Sequence, residues 1–141
     1  MQGLHLTADL HGCPTERSVL TEASALRDLC LLAARKAQLQ PVAEVFHRFE
    51  PASSTARGTP GAMPAAAGIT GVVLLAESHL AVHTWPEIGA VTIDVYVCNF
   101  GADNSHKAHA AMQHLIDAFA PQHVARRELR RGAVALVAQA S

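Results

Sequence analysis

Between Gly89 and Cys98 the chain alternates without a slip: Val91, Ile93, Val95 and Val97 share one parity, and Thr92, Asp94, Tyr96 and Cys98 share the other. A period of two belongs to a strand, because successive side chains leave a pleated backbone on opposite faces. Such a strand has one apolar and one polar face, so it belongs to a sheet packed on one side only. The chain opens the same way, with Leu4, Leu6, Ala8 and Leu10 alternating with His5, Thr7 and Asp9. Here too the pattern predicts a half-buried strand.

Only two stretches carry a helical period. Pro14-Thr15-Glu16 supplies a start with Thr15 as N-cap, and Ala23, Leu26, Cys30, Ala33 and Ala37 then recur at helical spacing. Asn104 is placed to cap a second helix whose stripe is Ala108, Ala111, Met112, Leu115, Ile116 and Phe119, with Pro121 ending it. Val42 to Phe49 reads as a strand, Gly71 to Ala76 as a strand buried on both faces, and His79 to Trp85 as an extended run stopped by Pro86. The Ser, Thr, Gly, Pro and Ala of residues 52–68 predict a long flexible loop. Val124 to Leu129 and Ala133 to Ala138 add a last strand or a hairpin around Gly132. The order β-α-β-β-β-β-α-β has too few helices to separate the strands. It therefore predicts an α+β two-layer sandwich: a mainly antiparallel sheet with both helices on one face. A second copy over the polar face would make an αββα homodimer.

Composition narrows the function. A length of 141 residues allows one domain, spanning 1–141, and half the residues are apolar, so a core forms without disulfides. With 11 basic residues, 12 acidic residues and 4% aromatics there is neither a cationic footprint nor a set of stacking platforms, which argues against nucleic acid. Cys13, Cys30 and Cys98 are odd in number and form no CxxC, as suits a reducing compartment. The start, MQGLHLTADLHG, lacks the regions of a signal peptide, and the purely apolar runs, Val72 to Ala76 among them, are far too short to cross a bilayer. The expectation is a soluble cytoplasmic protein without membrane contact.

The chemistry-bearing groups crowd into Ala76 to Glu87, where two hydroxyls, two imidazoles, two carboxylates and the single Trp precede Asp94 and Cys98. His79 and His83 stand four apart, a spacing that converges on one metal ion when it lies on a helix. The surrounding pattern is extended, however, and no third ligand is evident, so no metal is expected. Ser78 is not in a G-x-S-x-G elbow, and a hydrolase triad has little support. Taken together, GVVLLAESHLAVHTWPEIG followed by TIDVYVC resembles the proenzyme motif of the short bacterial S-adenosylmethionine decarboxylases, which make their own pyruvoyl cofactor. The resemblance is close from Gly71 to Cys98 and looser over LHLTADLHGC, VFHRFEP and the second helix.

That resemblance implies a chemistry. The hydroxyl of Ser78 attacks the carbonyl of Glu77, and elimination and hydrolysis then leave a pyruvoyl group at position 78, with residues 1–77 as β chain and 78–141 as α chain. A Schiff base between this group and the substrate's amino group drains the electrons left by CO2. Cys98 then matches the proton donor and His83 the proton acceptor in processing. Thr70 stands where the family has a processing serine, keeping the hydroxyl but adding a methyl. For S-adenosylmethionine, Phe49 matches an aromatic that stacks on adenine and Glu87 an acid that bonds the ribose diol. Parity adds one point independent of the family: an odd separation places Ser78 and His83 on opposite sides of their strand, so a homodimer would have to join them across its interface.

Other residues carry blander expectations. Cys30 and Cys13 read as structural, and His106, His109 and His114 as exposed. His79 reads as support for the processing turn, while Arg126, Arg127, Arg130 and Arg131 read as a solvated strand end. Trp85 either lines the pocket or only packs. The function expected is conversion of S-adenosylmethionine to its decarboxylated form, the aminopropyl donor for spermidine. The alternatives are the same chemistry on arginine or ornithine, or an uncleaved binding homologue.

Overall fold

In a computed structural model that describes residues 1–50 and 67–132, the chain runs β1 (Gly3–His11), α1 (Ala23–Lys36), β2 (Pro41–Arg48), β3 (Ile69–Leu75), β4 (Ser78–Trp85), β5 (Ala90–Cys98), α2 (Ser105–Phe119) and β6 (His123–Arg131). The order is the one periodicity predicts. Single 3-10 turns at Ser18–Leu20 and Pro86–Ile88 complete it. Every strand pairing is antiparallel, and the sheet order is β2-β3-β4-β5-β1-β6. Among the described residues, the first and last strands thus lie side by side. Most of the predicted 52–68 loop and the Ala133 to Ala138 run fall outside the described residues.

Parity decides what is buried. Leu4, Leu6, Ala8 and Leu10 of β1 meet Val91, Ile93, Val95 and Val97 of β5, and Leu80 and Val82 of β4, on one face of the sheet. Both helices pack there, α1 through Leu26, Cys30, Leu31, Ala33 and Ala34, and α2 through the six residues of its predicted stripe. Fully burying an aliphatic or aromatic side chain contributes about 1.5–3 kcal/mol, so these rows dominate the stability. Burial also pushes the Cys30 thiol up to about 12, as befits a structural cysteine.

Two expectations need correction. The first helix begins at Ala23 and not near Thr15. Leu20 is completely buried and its carbonyl accepts the Thr84 hydroxyl, and the two together hold the preceding segment in turns. Strand β3 is buried on one face and not on both: Ile69, Val73 and Leu75 are covered, whereas Leu74 is 48% exposed. Its β-branched run hides this alternation, because Val72 and Val73 look alike in sequence yet point to opposite faces.

Candidate active site

The β3–β4 hairpin builds the first half of the site. Leu75 pairs with Ser78, leaving Ala76 and Glu77 as a two-residue connection. Connections this short require a positive φ, and Glu77 supplies it at 58°. For a residue with a side chain that conformation costs about 1–2 kcal/mol, and it sits on the acyl side of the Glu77–Ser78 peptide. The Ser78 hydroxyl oxygen accepts the N–H of Cys98 at 3.1 Å. Cys98 ends β5 only 8% exposed, and its carbonyl accepts the side-chain amide of Asn104 at 2.9 Å. Asp103, beside Asn104, accepts the N–H of Ser105, and hydrogen bonds from Ser105 hold its carboxyl below the usual range.

The second half lies at the other end of β4, around a cleft of about 250 Å³. Thr70 and His83 face each other across the β3–β4 ladder, and Thr70 Oγ1 is hydrogen-bonded to His83 Nδ1 at 3.1 Å. Phe49 and Trp85 line the cleft with exposed aromatic faces, and Glu87 reaches it from the 3-10 turn. Trp85 therefore lines a pocket. The floor rests on Thr84, 3% exposed, whose hydroxyl donates to the Leu20 carbonyl at 2.8 Å and accepts the Ile69 N–H at 2.9 Å. Gly68 passes so close to the Thr84 carbonyl that a side chain there would strike it.

One strand thus carries both halves without joining them. His83 lies five positions after Ser78, about 17 Å at strand rise, and their parities differ. The same geometry removes the shared-metal reading of His79 and His83, which share a parity but stand about 13 Å apart along β4.

Between the halves, on the face the helices leave open, His5 Nε2 meets Asp94 Oδ1 at 2.9 Å. His79 packs against Tyr96 at 5.5 Å between ring centroids, and the Arg131 guanidinium lies over Tyr96 at 5.0 Å. Burial, and then the neighbouring His5, lower the pKa of His79. Sequence reasoning missed His5, Thr84 and the Asn104 contact. The polar parity of His5 and Tyr96 was visible, but the register that sets them side by side was not.

A serine held at a strained hairpin peptide, and a cleft with hydroxyl, imidazole, carboxylate and aromatic groups, place this sandwich among α+β enzymes. Comparison with known proteins says which: the model of the family described as S-adenosylmethionine decarboxylase matches residues 4–132, and the chain belongs to that family. It is 34% identical over 132 residues to the S-adenosylmethionine decarboxylase proenzyme of Aquifex aeolicus, covering 94% of this chain and 82% of that one. The proenzyme of the same name from Pyrococcus horikoshii is 32% identical over 130 residues, covering 92% and 78%. The crystal structure of the adenosylmethionine decarboxylase from Aquifex aeolicus superimposes with a TM-score of 0.75 at 33% identity, over 95% of this chain and 93% of that one.

Proposed function

We propose that this protein is a proenzyme that cuts itself between Glu77 and Ser78 and then decarboxylates S-adenosylmethionine. The observation that carries the reading is the Ser78 hydroxyl, held by the Cys98 N–H beside a glutamate in a left-handed conformation. Attack of Ser78 Oγ on the Glu77 carbonyl carbon transfers the acyl group from nitrogen to oxygen and releases the strain of the turn. Loss of the Ser78 α-proton expels the Glu77 carboxylate, and hydrolysis of the resulting end releases ammonia and leaves a ketone at position 78. That pyruvoyl group, once formed, supplies an electron sink for the carbanion left by CO2. In this reading Cys98 returns a proton to the substrate's α-carbon, a role supported by the contact of its backbone N–H with the residue that becomes the sink.

The cleft supplies recognition. Phe49 and Trp85 offer aromatic faces to the adenine, and the Glu87 carboxylate suits the ribose diol. His83, bonded to Thr70, is the processing base in this reading. An isologous dimer built on the open face would bring the His83 half of each chain to the Ser78 half of the other, twice. Three buried, free cysteines fit the cytoplasm.

Intact-mass measurement on freshly purified protein, followed over hours, tests this reading. The expected outcome is two fragments, 1–77 and 78–141, the second blocked at its N-terminus and reactive with hydroxylamine. CO2 should be released from S-adenosylmethionine and not from arginine or ornithine. A chain that stays whole and bears no reactive carbonyl would overturn the proposal.

A further inference from the structure

We infer that Asn104 is a positioning residue for Ser78 and Cys98, an inference that rests on the self-cleaving reading above. Asparagine is a preferred N-cap because its side-chain oxygen takes an N–H from the first helical turn. Asn104 occupies the N-cap of α2, at φ −99° and ψ 7°, yet its side chain makes no capping bond. Its amide instead donates to the Cys98 carbonyl at 2.9 Å, and the adjacent Asp103 takes the N–H of Ser105, the first residue of the helix. The helix start is held by the Asp103 side chain and the Asn104 backbone carbonyl, while the Asn104 side chain turns to Cys98.

The ladder explains why Cys98 needs this contact. Pairing between β4 and β5 ends at His79 and Tyr96, because the hairpin turns away at Glu77. Towards β1 it is the next residue, Asn99, that bonds, through its N–H to the Gln2 carbonyl at 2.8 Å. No strand partner remains on the β4 side for the N–H and C=O of Cys98. Side chains take both: Ser78 Oγ accepts the N–H at 3.1 Å, and Asn104 donates to the C=O at 2.9 Å. Asn99 Oδ1 accepts the Asn104 N–H at 2.8 Å and so locks the Asn104 backbone. Rotation of the Cys98 peptide units would move both the hydrogen bond on the nucleophile and the direction of the thiol, and Asn104 prevents it.

Asn104→Asp separates this role from helix capping. Aspartate is an equally good N-cap, but its carboxylate only accepts, and it repels the Cys98 carbonyl. Two readouts are followed: the rate of self-cleavage, and the rate at which Cys98 is alkylated as a function of pH, located by peptide mass mapping. N104D should slow cleavage roughly ten- to a hundredfold, as small misplacements of reacting groups do, and should change the Cys98 alkylation profile. Asp103→Ala, which removes the capping bond, should lower Tm and leave both readouts as they are. If N104D does not fold, Asn104→Ala serves in its place. Unchanged cleavage and alkylation in the Asn104 variant, or equal slowing in D103A, would overturn the inference. A wild-type chain that never cleaves would strike at the reading beneath it, and the alkylation profiles would still decide the role of Asn104.

Discussion

At the scale of single residues, Cys98, the proposed proton donor, and Thr84, a buried support of the cleft, separate chemistry from shape. Cys98→Ala removes the thiol but keeps the backbone N–H on Ser78, so self-cleavage should persist while decarboxylation falls by roughly 10²-fold or more, as loss of a positioned acid does. Fragment analysis and CO2 release measure the two separately, and full activity in the variant would remove Cys98 as donor. Thr84→Val deletes a buried hydroxyl that both donates and accepts, orphaning the Leu20 carbonyl and the Ile69 N–H. It should cost about 1–3 kcal/mol in denaturant unfolding, and weaken substrate binding by loosening the cleft floor. His79 adds a pH dependence. Its folded pKa lies below the ordinary 6.5, so on acidification the unfolded chain takes up this proton first. The contribution of His79 to stability is complete above about pH 6.5 and is lost as pH falls through the depressed folded value. His79→Gln should therefore flatten the dependence of Tm on pH on the acid side of 6.5, and an unchanged slope would contradict the assignment.

At the scale of elements, the β3–β4 hairpin decides the strain. Glycine enters the left-handed region without the steric cost that Glu77 meets at φ 58°. On an uncleavable Ser78→Ala background, Glu77→Gly should stabilise the precursor by up to about 1 kcal/mol, the relief being partly offset by unfolded-state entropy. With Ser78 present the same change should slow cleavage up to about tenfold, since each 1.4 kcal/mol of driving strain is a factor of ten. Equal cleavage rates would show that strain at Glu77 is not used. The hairpin was legible in the sequence only in part. Extended runs on either side of Ala76-Glu77 marked a turn, but Glu77 is not a turn-forming residue, and its conformation follows from the ladder that fixes Leu75 opposite Ser78. The start of α1 was misread for a related reason: Pro14-Thr15-Glu16 is a sound local helix signal, overridden by the burial of Leu20.

At the scale of the whole molecule, the halves of the site lie at opposite ends of β4, and the proposed dimer can be tested by complementation. Co-expressed Ser78→Ala and His83→Ala chains should yield mixed dimers with one intact composite site, in which only the His83→Ala chain is cut. Each variant alone should stay whole. Absence of cleavage in the mixture would place both groups in one protomer's site and contradict the parity argument.

Periodicity is local, so the sequence by itself determined the order of the described elements, the buried faces of β1, β5 and α2, and the opposition of Ser78 to His83. The crowding of chemistry between Ala76 and Cys98 was equally visible, because those residues are near neighbours along the chain. Only the tertiary structure decided that β1 lies between β5 and β6, that His5 meets Asp94, and that Asn104 turns from its helix to Cys98. Those outcomes depend on which edges pair and in what register. Pairing energy is shared among residues far apart in sequence, and no single segment encodes it.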